Sequence, residues 1–198
     1  MRVAVFGARG RTGRHVVAEL QRRGHEVIAV TRTGEAVGGA TGLRADPVSG
    51  EGVADATDAA DAVVCAMTSG RGNPACSRLA EALSGRVGLR YVTVGGAAVN
   101  RPGDRKGLVD RLFAGLMHVV ARPVLEDRER ELALLEGSAL RWTMLRPPRL
   151  LDREARGTVR LSDERPPGLS LERADLARAV ADALEDDALV GRAPFVSN

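Results

Sequence analysis

Three glycines behind a short apolar run constrain this chain more than any other feature in it. Residues 3–32 read VAVFGARGRTGRHVVAELQRRGHEVIAVTR. Val3, Ala4, Val5 and Phe6 form a strand-like run, and Gly7, Gly10 and Gly13 follow at G-x-x-G-x-x-G spacing. Val16, Val17 and Leu20 then share one face of a helical pattern whose other face is charged. Gly24 ends that pattern, and residues 26–31 read as a second strand. Strand, tight glycine turn, helix and strand make the opening unit of a dinucleotide-binding fold. Gly7 lets the chain turn sharply off the strand, and Gly10 lets backbone N–H groups approach a pyrophosphate. Gly13 lets the helix pack close to the sheet with its positive end toward the phosphates.

The rest of the chain continues the alternation. A short third strand is expected over 42–46, a modest helix over 48–60, and a strand over 62–67 (AVVCAM), whose unbroken apolar character fits a parallel strand covered on both faces. Asn73-Pro74 opens a helix to about Leu83, and RYVTV (90–94) is a fifth strand ending at Gly95-Gly96. Leu108, Leu112, Leu116 and Val120 fall at four-residue spacing, predicting an amphipathic helix that follows the C-terminal end of that strand. Phe113, Met117 and His118 on it are candidates to line a substrate pocket. A charged helix over 124–136, a sixth strand over 140–145, short strands near 158–161 and 193–196, an exposed Pro-rich loop over 163–168 and a last helix over 172–186 complete the pattern. The fold class is α/β, a Rossmann-like doubly wound parallel sheet flanked by helices. It forms one domain over 1–198, with a substrate-pocket segment at about 97–123 and a C-terminal segment at about 147–172.

Composition narrows the function. At 198 residues the chain can bury a substantial core, and no apolar run approaches a membrane span. It enters the first strand without a signal-peptide layout, so a cytoplasmic location is expected. The net charge is +3, but the arginines are interleaved with Asp and Glu and there are only five aromatic rings (one Trp, one Tyr, three Phe), so no nucleic-acid binding is expected. Cys65 and Cys76 suit reduced thiols at or near the core rather than a disulfide framework, and no metal-ligand spacing stands out.

An acidic residue at the end of the second strand would bind ribose hydroxyls and repel a 2′-phosphate. This chain has Thr31-Arg32-Thr33, so Arg32 is placed to pair with that phosphate, and Arg9 could reach the same region. NADP(H) is therefore the expected cofactor. No catalytic residue is identified: of His15, His25 and His118, only His118 falls near the predicted pocket, and no Ser-His-Asp motif is present.

FGARGRTG, LLEGSALRWTMLRPP and LERADLA together resemble motifs of the atypical short-chain dehydrogenase/reductases, closest in layout to the NmrA-like and flavin reductase/biliverdin-IX-beta reductase branch. The family's patterns are F-G-A-T-G-x-T-G, L-x-x-S-G-L-x-x-T-x-x-R-P-P and I-S-R-x-D-L-A. The Tyr–Lys dyad of typical short-chain dehydrogenases, Y-x-x-x-K, is excluded by counting, because Tyr91 is followed four residues later by Gly95 and Lys106 is the only lysine.

The resemblance implies that Gly7, Ala8, Gly10, Thr12 and Gly13, in the turn that also carries Arg11, hold the pyrophosphate. It places Arg32 at the 2′-phosphate, Asp46 by the adenine, and Cys65, Ala66 and Met67 beneath the adenosine and ribose. Gly95 and Gly96 would border the nicotinamide, with Pro147 and Pro148 forming the far wall. The family's Ser after strand five and His after Pro-Pro are Gly96 and Arg149 here, and Arg149 is a candidate to bind an anionic substrate. The expected activity is an NADPH-dependent reductase acting on a flavin or another conjugated small molecule, as a monomer or homodimer. A non-catalytic NADP sensor and a tailoring enzyme for a specialised metabolite stay open as alternatives.

Overall fold

The computed structural model describes residues 1–70, 72–105, 107, 115 and 120–198. Most of the predicted 108–120 helix, including Phe113, Met117 and His118, lies outside the described residues. Six strands build the central sheet: β1 (Arg2–Phe6), β2 (Glu26–Thr31), β3 (Thr41–Arg44), β4 (Ala62–Cys65), β5 (Arg90–Val94) and β6 (Arg141–Leu145). They pair in parallel in the order β3-β2-β1-β4-β5-β6. The helices are α1 (Arg11–Arg22), α2 (Val53–Asp58), α3 (Ala75–Leu83), α4 (Arg122–Glu136) and α5 (Arg173–Glu185).

Alternation along β1 divides the core. Val3 and Val5 join Val16, Val17 and Leu20 of α1 and Leu176, Val180 and Leu184 of α5 on one face. Ala4 and Phe6 join Leu79 and Leu83 of α3 and Leu132 and Leu135 of α4 on the other. With apolar partners on both sides, the central strands can be continuous hydrophobic runs.

Several boundaries differ from expectation. β3 ends at Arg44, not Asp46. Helix α2 is confined to Val53–Asp58, because the Asp46 carboxylate accepts the Val48 N–H at 2.9 Å and Gly50 and Gly52 turn the chain with positive φ. Ala66 and Met67 run past the end of β4. β7 (Arg149–Leu151) and β9 (Ser170–Glu172) form a small parallel pair that the sequence pattern did not reveal, since three residues are too few to show a period. β8 (Arg160–Ser162) and β10 (Phe195–Ser197) pair antiparallel, slightly displaced from the predicted segments. The largest departure is in α4, where Asp127, Arg128 and Glu131 are buried although they lie in the strongly charged stretch.

Helices α1 and α5 run side by side in the same direction. At their C-terminal ends Arg23 donates to Glu19 (2.9 Å), Asp182 (2.7 Å) and Glu185 (2.8 Å). Hydrogen bonding from Arg22, reinforced by Arg23 and opposed by burial, pulls the Glu19 carboxyl from 4.5 to about 2. A depressed carboxyl pKa stabilises the fold above the unfolded value, and that contribution is lost as pH falls through the folded one. Glu19→Gln is therefore expected to lower the melting temperature by a constant amount above about pH 5, with the difference closing toward about pH 2. Thermal melts of both proteins across that range check this, and a pH-independent difference would refute it.

Candidate functional site

The chain winds from β1 outward to β3 and then returns to β4 on the other side of β1. This creates a crevice at the C-terminal ends of β1 and β4, where open α/β sheets bind ligands. A groove of about 830 Å³ lies there, and Gly7, Arg9, Gly10, Arg11, Thr12, Arg32, Asp46, Ala66 and Met67 line it.

The glycine turn is built by close approach. Gly7 has φ +80°, and a Cβ on it would sit 2.9 Å from the Met67 nitrogen. A Cβ on Gly13 would sit 2.1 Å from the Gly7 carbonyl oxygen, so helix and turn touch backbone to backbone. Gly10 is the N-cap of α1 in extended conformation, without a side-chain cap and without an acidic residue in the first turn. The free N–H groups and positive end of α1 are thus left to an anion, as a dinucleotide's diphosphate requires. The residues fit the cofactor.

Beyond β2, the Thr31 hydroxyl accepts the N–H groups of Gly34 (2.9 Å) and Glu35 (3.1 Å), folding the chain so that Arg32 is exposed at the groove. Arg9 reaches this loop and pairs with Glu35 at 2.6 Å. Ala8, Gly13, Cys65 and Pro147 are not in the groove lining. Ala8 and Cys65 are fully buried behind it, and the Pro147 carbonyl accepts the Ala97 N–H at 2.8 Å.

A second cavity of about 190 Å³ adjoins the groove, sharing Thr12, Ala66, Met67, Thr68 and Leu150 with it. Val94 at the end of β5, Gly95, Gly96, Ala98 and Val99 after it, Ala121, and Val124, Leu125 and Arg128 of α4 complete its described walls. Arg149 is exposed and lines neither cavity, whereas Leu150 lines both. Alternation along β7 turns these neighbours to opposite sides, so Leu150 and not Arg149 faces the described cavities.

Below this cavity is a buried network. Arg128 donates to Glu131 (2.6 Å), the Thr93 hydroxyl (3.1 Å) and the Met67 carbonyl (2.6 Å), and the Tyr91 hydroxyl donates to Glu131 (2.9 Å). Asp127 accepts the Cys76 N–H at 3.1 Å and the Ser77 N–H at 3.3 Å, capping α3 from a neighbouring helix. Burial, with Cys65 and Glu131 nearby, pushes the Tyr91 phenol well above its ordinary pKa, and its hydroxyl is held by Glu131. His15 is exposed on α1, and His25 meets Glu185 at 3.0 Å at the far end of that helix. Both thiols are buried and unbridged.

Two arginines at these cavities escaped sequence reasoning. Arg128 stood in a charged helix with nothing to separate it from surface residues. Arg173 lies in LERADLA, where nothing in spacing or composition marks it as a ligand. Among the described residues no cluster of His, Cys, Asp and Glu could hold a metal, and no helix is long and apolar enough to cross a membrane.

Comparison with solved structures gives full-length matches. A protein from Streptococcus pneumoniae proposed to be an NADH-flavin reductase is 24% identical, with a TM-score of 0.81 over 100% of this chain and 99% of that one. A short-chain dehydrogenase/reductase from Veillonella parvula, solved with NADP, is 18% identical, with a TM-score of 0.76 over 100% and 94%. An anaerobillin reductase from Escherichia coli O157:H7 is 19% identical, with a TM-score of 0.78 over 100% and 97%. At these identities the likeness shows the fold. A sequence comparison with curated proteins finds no match. A family model described as NAD(P)H-binding matches residues 7–187, from the glycine turn to beyond α5. The chain belongs to this NAD(P)H-binding family.

Proposed function

We propose that the chain is an NADPH-dependent reductase acting on a flavin such as FMN or on another conjugated acceptor. The observation that carries this reading is the small apolar cavity continuing the cofactor groove. Its described polar side chains are Thr12, Thr68 and Arg128, and the one tyrosine is locked in the network below. An acceptor with an extended π-system needs placement against the cofactor more than a strong acid, and glycine and apolar walls suit a flat ring.

In this reading Gly7, Gly10 and the first turn of α1 hold the diphosphate, and Arg32, with Arg9 beside it, holds the 2′-phosphate. Asp46 lies by the adenine, and Ala66 and Met67 support the ribose. Gly95 and Gly96 border the nicotinamide, and segments 97–123 and 147–172 shape the substrate side. The reduced nicotinamide, when bound, supplies the hydride. The neighbours named for flavin and anaerobillin reduction support the class through a shared fold.

Anaerobic NADPH oxidation with and without FMN, alongside calorimetric titration of NADPH and NADH, tests the proposal. Saturable, FMN-dependent oxidation with tighter binding of NADPH than NADH is expected. Tight NADPH binding without oxidation would overturn the flavin reductase reading and leave an NADP sensor or an enzyme of narrower specificity.

A further inference from the structure

The groove contains a cation that the glycine turn does not supply. Arg173, the first residue of α5, lines it together with Gly10, Arg11, Thr12 and Leu150. Its side chain is 8% exposed, and its Nε and Nη1 lie out of water and make no hydrogen bond. Nη1 is 3.2 Å from Asp152, whose half-exposed carboxylate also lies 3.5 Å from Nη1 of Arg11. Because α1 and α5 run side by side in one direction, their N-terminal ends both come to this edge of the sheet. One carboxylate thus bridges an arginine from the first turn of each helix.

A buried guanidinium whose Nε and Nη1 make no hydrogen bond is costly even beside one carboxylate, and an anion delivered to the groove offers the missing acceptor. We infer that Arg173 is a diphosphate-binding residue, completing from the C-terminal part of the chain the anion site opened by the first turn of α1. Asp152 is the internal carboxylate with which the ligand's phosphates compete. The inference rests on the groove being the dinucleotide site and adds to it a residue far from the glycine turn in sequence.

The location separates Arg173 from Arg32. Arg32 follows β2, where a 2′-phosphate would lie, whereas Arg173 stands by the start of α1, where the diphosphate common to NADPH and NADH would lie. Calorimetric titration of both nucleotides into wild type, Arg173→Met, Arg173→Lys and Arg32→Ala, with apoprotein melting temperatures, tests this.

Arg173→Met is expected to weaken NADPH and NADH by the same factor, roughly 10–100-fold, with Arg173→Lys recovering part of the loss. Arg32→Ala is expected to weaken NADPH selectively. The apoprotein of Arg173→Met should melt close to wild type, because the change removes a buried cation whose Nε has no acceptor and leaves its half-exposed partner Asp152 to water. Unchanged affinity in Arg173→Met, a loss confined to NADPH, or a loss matched by a fall in apoprotein melting temperature would each overturn the inference. Wild-type protein that bound neither nucleotide would overturn the groove's assignment as well.

Discussion

Gly13→Ala is expected to unseat helix α1 and to abolish tight NAD(P)H binding at the same time. The added methyl would lie 2.1 Å from the Gly7 carbonyl oxygen, 2.8 Å from the Gly7 carbonyl carbon and 2.9 Å from Ala8 Cα. All three atoms are backbone, so no side chain can swing aside. Restoring an ordinary carbon–oxygen contact requires the first turn of α1 to move by about 1 Å or more. That turn carries the N–H groups aimed at the groove, and farther along the same face of α1 Val16, Val17 and Leu20 pack into the core.

The overpacking should cost about 3 kcal/mol of stability, measured as a lower midpoint in urea. Displacing two or more charge-assisted hydrogen bonds should weaken NADPH on the order of 100-fold or more in calorimetry. Gly96→Ala is the matched control. A Cβ there meets nothing within 4 Å among the described residues, so the same chemical change should leave stability near wild type. Near-normal stability and affinity in Gly13→Ala would refute the backbone-contact account of this turn.

That turn was legible because its demands are local. Gly7 and Gly13 each face backbone at distances only glycine tolerates, and the flanking strand and helix declare themselves by periodicity over a dozen residues. The parallel sheet was legible for a similar reason, since AVVC and its neighbours are apolar on both faces. Arg32 could be placed because its position is fixed by the end of β2.

What stayed hidden depends on contacts between distant residues. Arg173 meets Arg11 only through Asp152, after three segments of chain have folded together. At Arg149 and Leu150, β7 is too short for its sequence to show which residue faces the described cavities. The buried charges of α4 were hidden most deeply. In DREREL, nothing in spacing or composition distinguishes Asp127, Arg128 and Glu131 from a solvated face, because their partners lie on β4, β5 and α3. Burial of charge becomes intelligible only when the counter-groups are present.

Those partners make Arg128→Met the substitution expected to cost most. Glu131 is fully buried, and its carboxylate receives one hydrogen bond from Arg128 and another from Tyr91. Without the guanidinium, the carboxylate stays in the core uncompensated, and the Thr93 hydroxyl and Met67 carbonyl lose the same donor. Removing one member of such a pair should cost about 3–5 kcal/mol in chemical denaturation.

One comparison separates this from simple loss of packing. Glu131→Gln removes the stranded charge while keeping an acceptor for Tyr91, so the double variant Arg128→Met/Glu131→Gln should be more stable than Arg128→Met by about 2 kcal/mol. A deficit that was not relieved by Glu131→Gln would mean that Arg128 acts through its packed alkyl stem. The cavity floor at Met67 would then owe its position to shape rather than to the charge network beneath it.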